Sequence, residues 1–249
     1  MLNMNNNYYK YLRKLNERKV DDRYKGKEHY FHASSAGLCL RKHYFGAVEQ
    51  VEPVPPENIS LSRLRLGDLV HGDIQESLKD FEKWAGLRKG SRYVIEDEII
   101  LEELNVRGHF DILDLQKKKL VDIKTVGGYK WKMIFGRNAS DAVENYKLQL
   151  GTYGLGIEKK YNIELNKMSL LFYKLGDPKA TDMRELIVPL FYMQKAEEYW
   201  KYVNEKIEPL PDIELGEAPV EGWECNPSWC GYFAHCGGGL KPELMDGHR

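Results

Sequence analysis

Residues 107–126 read RGHFDILDLQKKKLVDIKTV, and the reading of the fold turns on them. Two β-rich segments, 107–115 and 120–126, flank the polar stretch Gln116-Lys117-Lys118-Lys119, a hairpin pattern. Side chains two apart on a strand share a face, so Asp122 and Lys124 point the same way. With 116–119 as a four-residue loop, Leu115 pairs with Leu120. Asp111 then falls opposite Lys124 and diagonal to Asp122, on the same face. Diagonal neighbours lie about 7–8 Å apart, so the two carboxylates can converge on one cation.

Two acids brought together are costly unless a positive charge offsets them, and a hard divalent ion with oxygen ligands does so. Mg²⁺ takes one or two protein carboxylates and leaves room for water and substrate phosphate. The set Asp111, Asp122, Lys124 therefore suits metal-assisted phosphodiester hydrolysis, with the lysine holding a water or a phosphate oxygen. An exposed hairpin with ordinary surface charge has the same letters, so the neighbours matter.

Outward from the hairpin, residues 60–84 have Val70, Ile74, Leu78 and Phe81 at helical spacing, with Ser60 as N-cap. His71 sits at the margin of that apolar stripe. Residues 92–101 read as a strand. A second helix over 140–158 puts Gln149 and Tyr153, four apart, on one face. A strand at 167–175, paired with 184–190, and a helix over 191–206 complete the pattern. Residues 5–23 read as a weakly amphipathic helix, and Pro53, Pro55 and Pro56 make 53–58 a loop. The order is that of an α/β fold with one mixed central sheet flanked by helices. Three stretches follow within a single compact body: an N-terminal segment 1–59, a core 60–208 and a Pro-, Gly- and Cys-rich tail 209–249.

The 249 residues are 42% hydrophobic and 30% charged, which excludes collagen-like, coiled-coil and disordered chains. Runs such as Leu170-Leu171-Phe172-Tyr173 fall far short of the ~18–20 apolar residues that cross a bilayer, so no membrane is expected as partner. The polar start MLNMNNNYYKYLRK lacks a secretory pattern, and the expected location is the cytoplasm. A net charge of −1 excludes a globally basic nucleic-acid binder. Locally, 1–48 hold ten Lys/Arg against four Asp/Glu and 117–147 hold eight against three, whereas 205–249 hold three against nine. Phosphate-binding grooves produce such imbalance, as do solvated faces. Four cysteines, Cys39, Cys225, Cys230 and Cys236, in a cytosolic chain read as metal or cluster ligands rather than disulfides. Four thiolates hold either Zn²⁺ or a [4Fe–4S] cluster, and the spacing does not choose.

The ordered set His71, Gly108-x-x-Asp111, Asp122-x-Lys124 and Gln149-x-x-x-Tyr153 resembles the motifs of RecB-type PD-(D/E)xK nucleases. The one early and three late cysteines, with Ser34-Ser35-Ala36-Gly37-Leu38-Cys39-Leu40-Arg41-Lys42-His43-Tyr44-Phe45, are similar to its iron–sulfur subgroup of CRISPR-associated adaptation nucleases and phage-encoded relatives. Phe110 stands where the motif name has proline, Asp122 is one methylene shorter than Glu, and Cys225-x4-Cys230 is wider than the subgroup's spacing. The resemblance implies a PD-(D/E)xK restriction-endonuclease-like core and a metal-dependent DNA nuclease, an exonuclease on single-stranded DNA or duplex ends. His71, Asp111 and Asp122 with the Ile123 carbonyl would bind Mg²⁺ or Mn²⁺. Lys124 would position the attacking water, and Gln149 and Tyr153 would support the site or touch the DNA backbone. Cys39, Cys225, Cys230 and Cys236 would ligate a structural [4Fe–4S] cluster, with Zn²⁺ as the other occupant, stapling the two ends of the chain. A protein partner in a recombination or CRISPR-adaptation complex fits the same implication. The alternative is an inactive DNA-binding or assembly module that keeps the fold and the cluster.

Overall fold

The computed structural model describes residues 4–24, 29–48, 51–137, 143–176, 183–207, 225–227 and 229–236. In chain order it forms α1 (Met4–Tyr24), the two-residue β1 (Phe31–His32), the short α2 (Leu40–His43) and the long α3 (Asn58–Trp84). Then come β2 (Tyr93–Leu101), β3 (Val106–Asp114), β4 (Lys119–Val126), α4 (Gly128–Phe135), α5 (Glu144–Tyr161), β5 (Lys167–Lys174), β6 (Met183–Val188) and α6 (Tyr192–Ile207). The chain divides into two compact units. Residues 32–37 and 66–202 make up one unit, which holds the hairpin. Residues 1–31, 38–65 and 203–249 make up the other, which holds all four cysteines.

The unit with the hairpin is built on a mixed sheet. β2 pairs antiparallel with β3 and β3 with β4; β4 runs parallel to β5, and β5 antiparallel to β6. The parallel pair requires a crossover, which α4 and α5 supply. Phe110, Leu120, Ile123, Leu150, Ile157, Leu170 and Phe172 are fully buried, each stabilising the unit by about 1.5–3 kcal/mol relative to exposure. Trp200 on α6 is buried too, and its indole N–H is satisfied by donating to Thr152 Oγ1 at 2.8 Å. Phe110, standing where the motif name has proline, meets Tyr161 edge-on with ring centroids 6.3 Å apart.

The structure corrects three details of the sequence reading. The hairpin turn is 115–118 rather than 116–119, because Asp114 Oδ1 accepts the Lys117 N–H at 3.0 Å and Lys118 adopts a left-handed φ of 49°. Leu113 consequently pairs with Leu120, so the register is offset by two residues. A two-residue offset preserves the faces, and Asp111 remains on the side of Asp122, now across from it rather than from Lys124. The long helix starts at Asn58, just past Pro55-Pro56, so Ser60 lies inside it rather than capping it. Helix α4 follows β4 directly and has too short an apolar pattern to be read from the letters.

Helix α3 ends at Gly86, in the left-handed region at φ +68°, with Gly86 N–H donating to Lys83 O and Leu87 N–H to Glu82 O. Glu82 itself is 2% exposed and accepts the N–H groups of Gly90, Arg92 and Tyr93 at 2.8, 2.8 and 3.0 Å. Burial alone would raise its pKa, but these donors and the Arg92 charge win and hold it below the usual value. Its stabilisation is therefore present above about pH 4.5 and is lost as the pH falls further. Glu82→Ala strands three amides and should cost about 3 kcal/mol in urea unfolding at neutral pH. A loss under about 1 kcal/mol would mean that water replaces the carboxylate.

Candidate active site

Each side chain of the site is delivered by a different regularity of the chain. His71 and Gln75 lie one turn apart on α3, hence on one face. Glu96 comes from β2, Asp111 from β3, Asp122 and Lys124 from alternate positions of β4, and Gln149 and Tyr153 from successive turns of α5. His71 Nδ1 is 3.2 Å from Asp111 Oδ1, and Gln75 Nε2 donates to Glu96 Oε1 at 2.8 Å. Ligand atoms of His71, Glu96 and Asp111 all lie within 4.8 Å of one another.

Asp111 Oδ2 accepts the Ile123 N–H at 2.6 Å, a side chain taking over where the β3–β4 ladder stops. Asp122, 2% exposed, lies outside the His71–Glu96–Asp111 set. Its Oδ2 lies 2.7 Å from Lys124 Nζ as an ion pair, and that buried oxygen has no other polar partner among the described residues. Lys124 Nζ donates to Gln149 Oε1 at 2.9 Å, and Gln149 Nε2 donates to Tyr153 OH at 2.9 Å. All six predicted catalytic side chains thus belong to two linked groups: His71 with Asp111, and Asp122–Lys124–Gln149–Tyr153. Ile123 contributes its buried side chain to the core and its N–H to Asp111.

Gly108 has a steric reason. A Cβ there would stand 2.7 Å from Tyr153 Cε1 and 2.9 Å from Ala33 Cβ, so only glycine lets the Tyr153 ring lie against β3. The electrostatics follow from burial and from the packed charges. Burial, reinforced by the Asp111 charge and opposed by Lys124, pushes the Asp122 carboxyl up to about 6. Burial works against a charged His71 ring, but the hydrogen bond to Asp111 and the charges of Asp111 and Asp122 prevail and raise its pKa. Lys124 is likewise raised, desolvation being outweighed by Asp122 and Asp111. Burial and the Asp122 charge raise Tyr153, so it stays a neutral phenol.

Glu96 is the residue that the sequence reading missed. In the run Glu96-Asp97-Glu98 the letters offer no way to choose. Asp97 is bound by Lys160 and Tyr161, and Glu98 by Arg107 at 3.1 Å, which leaves Glu96 to face the site. Its backbone is unusual for a strand, with φ 54°, and the β2–β3 ladder skips it opposite Asp111. A signal was available in principle, since the register of β2 on β3 sets Glu96 across from Asp111.

In the other unit the four cysteines are partly buried and none is in a disulfide. Short turns shape the late ones, with Cys230 N–H donating to Asn226 O and Cys236 N–H to Tyr232 O, both at 2.8 Å. Arg41, 3% exposed, donates from Nη1 to Cys236 Sγ at 3.1 Å. No helix among the described residues is long and apolar enough to cross a membrane.

Residues 72–237 match the family described as PD-(D/E)XK nuclease superfamily, a span that begins one residue after His71. Among solved structures, that of SSO0001 is similar at 17% identity and a TM-score of 0.54, covering 93% of this chain and 97% of the other. A candidate exonuclease from Eubacterium rectale is 16% identical with a TM-score of 0.49, covering 75% of this chain and 84% of the other. No curated protein matches.

Proposed function

Because the chain belongs to the PD-(D/E)XK nuclease superfamily, we propose that it is a divalent-metal-dependent deoxyribonuclease, an exonuclease acting on single-stranded DNA or duplex ends. The observation that carries this reading is the convergence of His71, Glu96 and Asp111 on one site, with a buried Asp122 oxygen whose one partner among the described residues is the Lys124 ammonium. A buried carboxylate oxygen with a lone pair left beyond its ion pair, among oxygen and imidazole donors, fits Mg²⁺ or Mn²⁺. His71, Asp111 and Asp122 would hold the ion, with Glu96 and the Ile123 carbonyl as further ligands. When bound, such an ion acidifies water and offsets the charge of the scissile phosphate.

The chain's own residues do the rest. Lys124, kept charged by Asp122 and Asp111, orients the attacking water and meets negative charge as it grows on the phosphate. Gln149 fixes the Lys124 ammonium by accepting from it, and Tyr153 fixes Gln149 in turn. Asp111 holds the Ile123 amide, which sets the direction of the backbone between Asp122 and Lys124.

Cys39, Cys225, Cys230 and Cys236 hold a structural [4Fe–4S] cluster in this reading, with Zn²⁺ as the competing occupant. The buried Arg41 guanidinium aimed at Cys236 Sγ supports a ligated, anionic sulfur there. Iron and sulfide analysis of anaerobically purified protein decides between the two metals.

The decisive experiment incubates the protein with end-labelled single- and double-stranded DNA in Mn²⁺, Mg²⁺ or EDTA. Metal-dependent cleavage is expected, and the product ladder reports its polarity. Folded, cysteine-site-loaded protein that binds DNA but never cuts it would instead be the inactive binding module.

Proton competition supplies a second check. Asp122 must lose its proton near pH 6 and His71 must be neutral before either can serve as a ligand. In metal-free protein the raised Asp122 pKa means stability lost as the pH rises from its unfolded value near 3.8 through about 6. Added Mn²⁺ offsets that loss, so the Mn²⁺-induced rise in melting temperature should grow from about pH 5 to about pH 7. A shift equal at both ends of that range would exclude Asp122 and His71 as ligands.

A further inference from the structure

We infer that Lys130 is a second phosphate-contacting residue, holding the nucleic-acid strand next to the scissile phosphate. The inference rests on the nuclease reading and deepens it by naming a contact that sets how substrate lies in the site. Lys130 follows β4 directly, in the first turn of α4, six residues beyond Lys124.

Its Nζ lies 5.3 Å from the centroid of the Tyr146 ring, and Lys124 Nζ lies 5.0 Å from the same centroid. The two ammonium groups are thus no more than about 10 Å apart, with one aromatic ring as their common support. That separation corresponds to about three nucleotides or fewer of strand rise, at roughly 3.4 Å each.

The two lysines differ in what neutralises them. Lys124 has Asp122 and Gln149. Lys130 has no carboxylate partner among the described residues and is partly desolvated, which lowers its pKa. A half-buried cation supported on one side by a π face, with no acid to pair it among the described residues, is available for an external anion. Beside a phosphodiester-cleaving site, that anion is the backbone phosphate of the bound strand.

The test measures binding of a fluorescein-labelled single-stranded oligonucleotide to the full-length protein in EDTA, over a range of salt concentrations. Wild type, Lys130→Gln, Lys130→Arg and Lys159→Gln are compared. Lys159 lies on the same helix as Tyr146, about 20 Å along its axis, and is paired with Glu103. Lys130→Gln should weaken binding several-fold and reduce the slope of log K against log salt by about 0.7, the loss of one phosphate contact. Lys130→Arg should restore the slope, and Lys159→Gln should leave it unchanged. Wild type that binds with a slope unchanged in Lys130→Gln would overturn the inference and leave the nuclease reading standing. Wild type that neither binds nor cuts nucleic acid would overturn the nuclease reading itself, and the inference with it.

Discussion

Asp111→Asn should leave a folded protein that cleaves DNA at about one-thousandth of the wild-type rate or less. Asparagine keeps a carbonyl oxygen where Asp111 Oδ2 accepts the Ile123 N–H at 2.6 Å, so the local course of β4 is retained. What disappears is one of the two carboxylate charges in the His71–Glu96–Asp111 set, on which an incoming divalent ion depends. The substitution also removes one of two carboxylates that repel each other, so the metal-free melting temperature should hold or rise. Two measurements separate the effects: cleavage of end-labelled DNA in Mn²⁺, and the Mn²⁺-induced thermal shift, which should vanish. Cleavage within tenfold of wild type would remove Asp111 from the active site.

Lys124→Gln should lose about 10²–10³ in the cleavage rate while Mn²⁺ still binds. Removing the ammonium takes away a donor aimed at developing charge, but it also removes the cation that competes for Asp122 Oδ2 at 2.7 Å. Metal affinity should therefore be equal or higher, the opposite of the Asp111→Asn result. A buried Asp122 without its counter-ion is costly, so the metal-free variant should melt earlier than wild type and recover when Mn²⁺ is added. Loss of rate and loss of metal together would show that Lys124 acts through the folding of the site rather than on the reacting phosphate.

Much of this site could be read from local patterns, for reasons that particular residues make plain. Alternation along β4 puts Asp122 and Lys124 on one side whatever the strand pairs with, and their ion pair bears this out. Helical spacing on α5 puts Gln149 and Tyr153 together, and they are hydrogen bonded. Even the one-residue shift of the hairpin turn did no harm, since it displaces the register by two and the strand keeps its faces.

Other features depend on partners distant in sequence. Which of Glu96, Asp97 and Glu98 enters the site depends on Lys160, Tyr161 and Arg107 claiming the other two acids. Gly108 looks interchangeable with alanine until the Tyr153 ring, 45 positions on, is packed against it. Helix α4 is too short to show an apolar period, yet it carries Lys130 to the Tyr146 ring. The chain alone determined which side chains share a face, because that follows from the repeat of a strand or a helix. Only the tertiary structure decided which acids face the site, because that is a competition among partners brought together by folding.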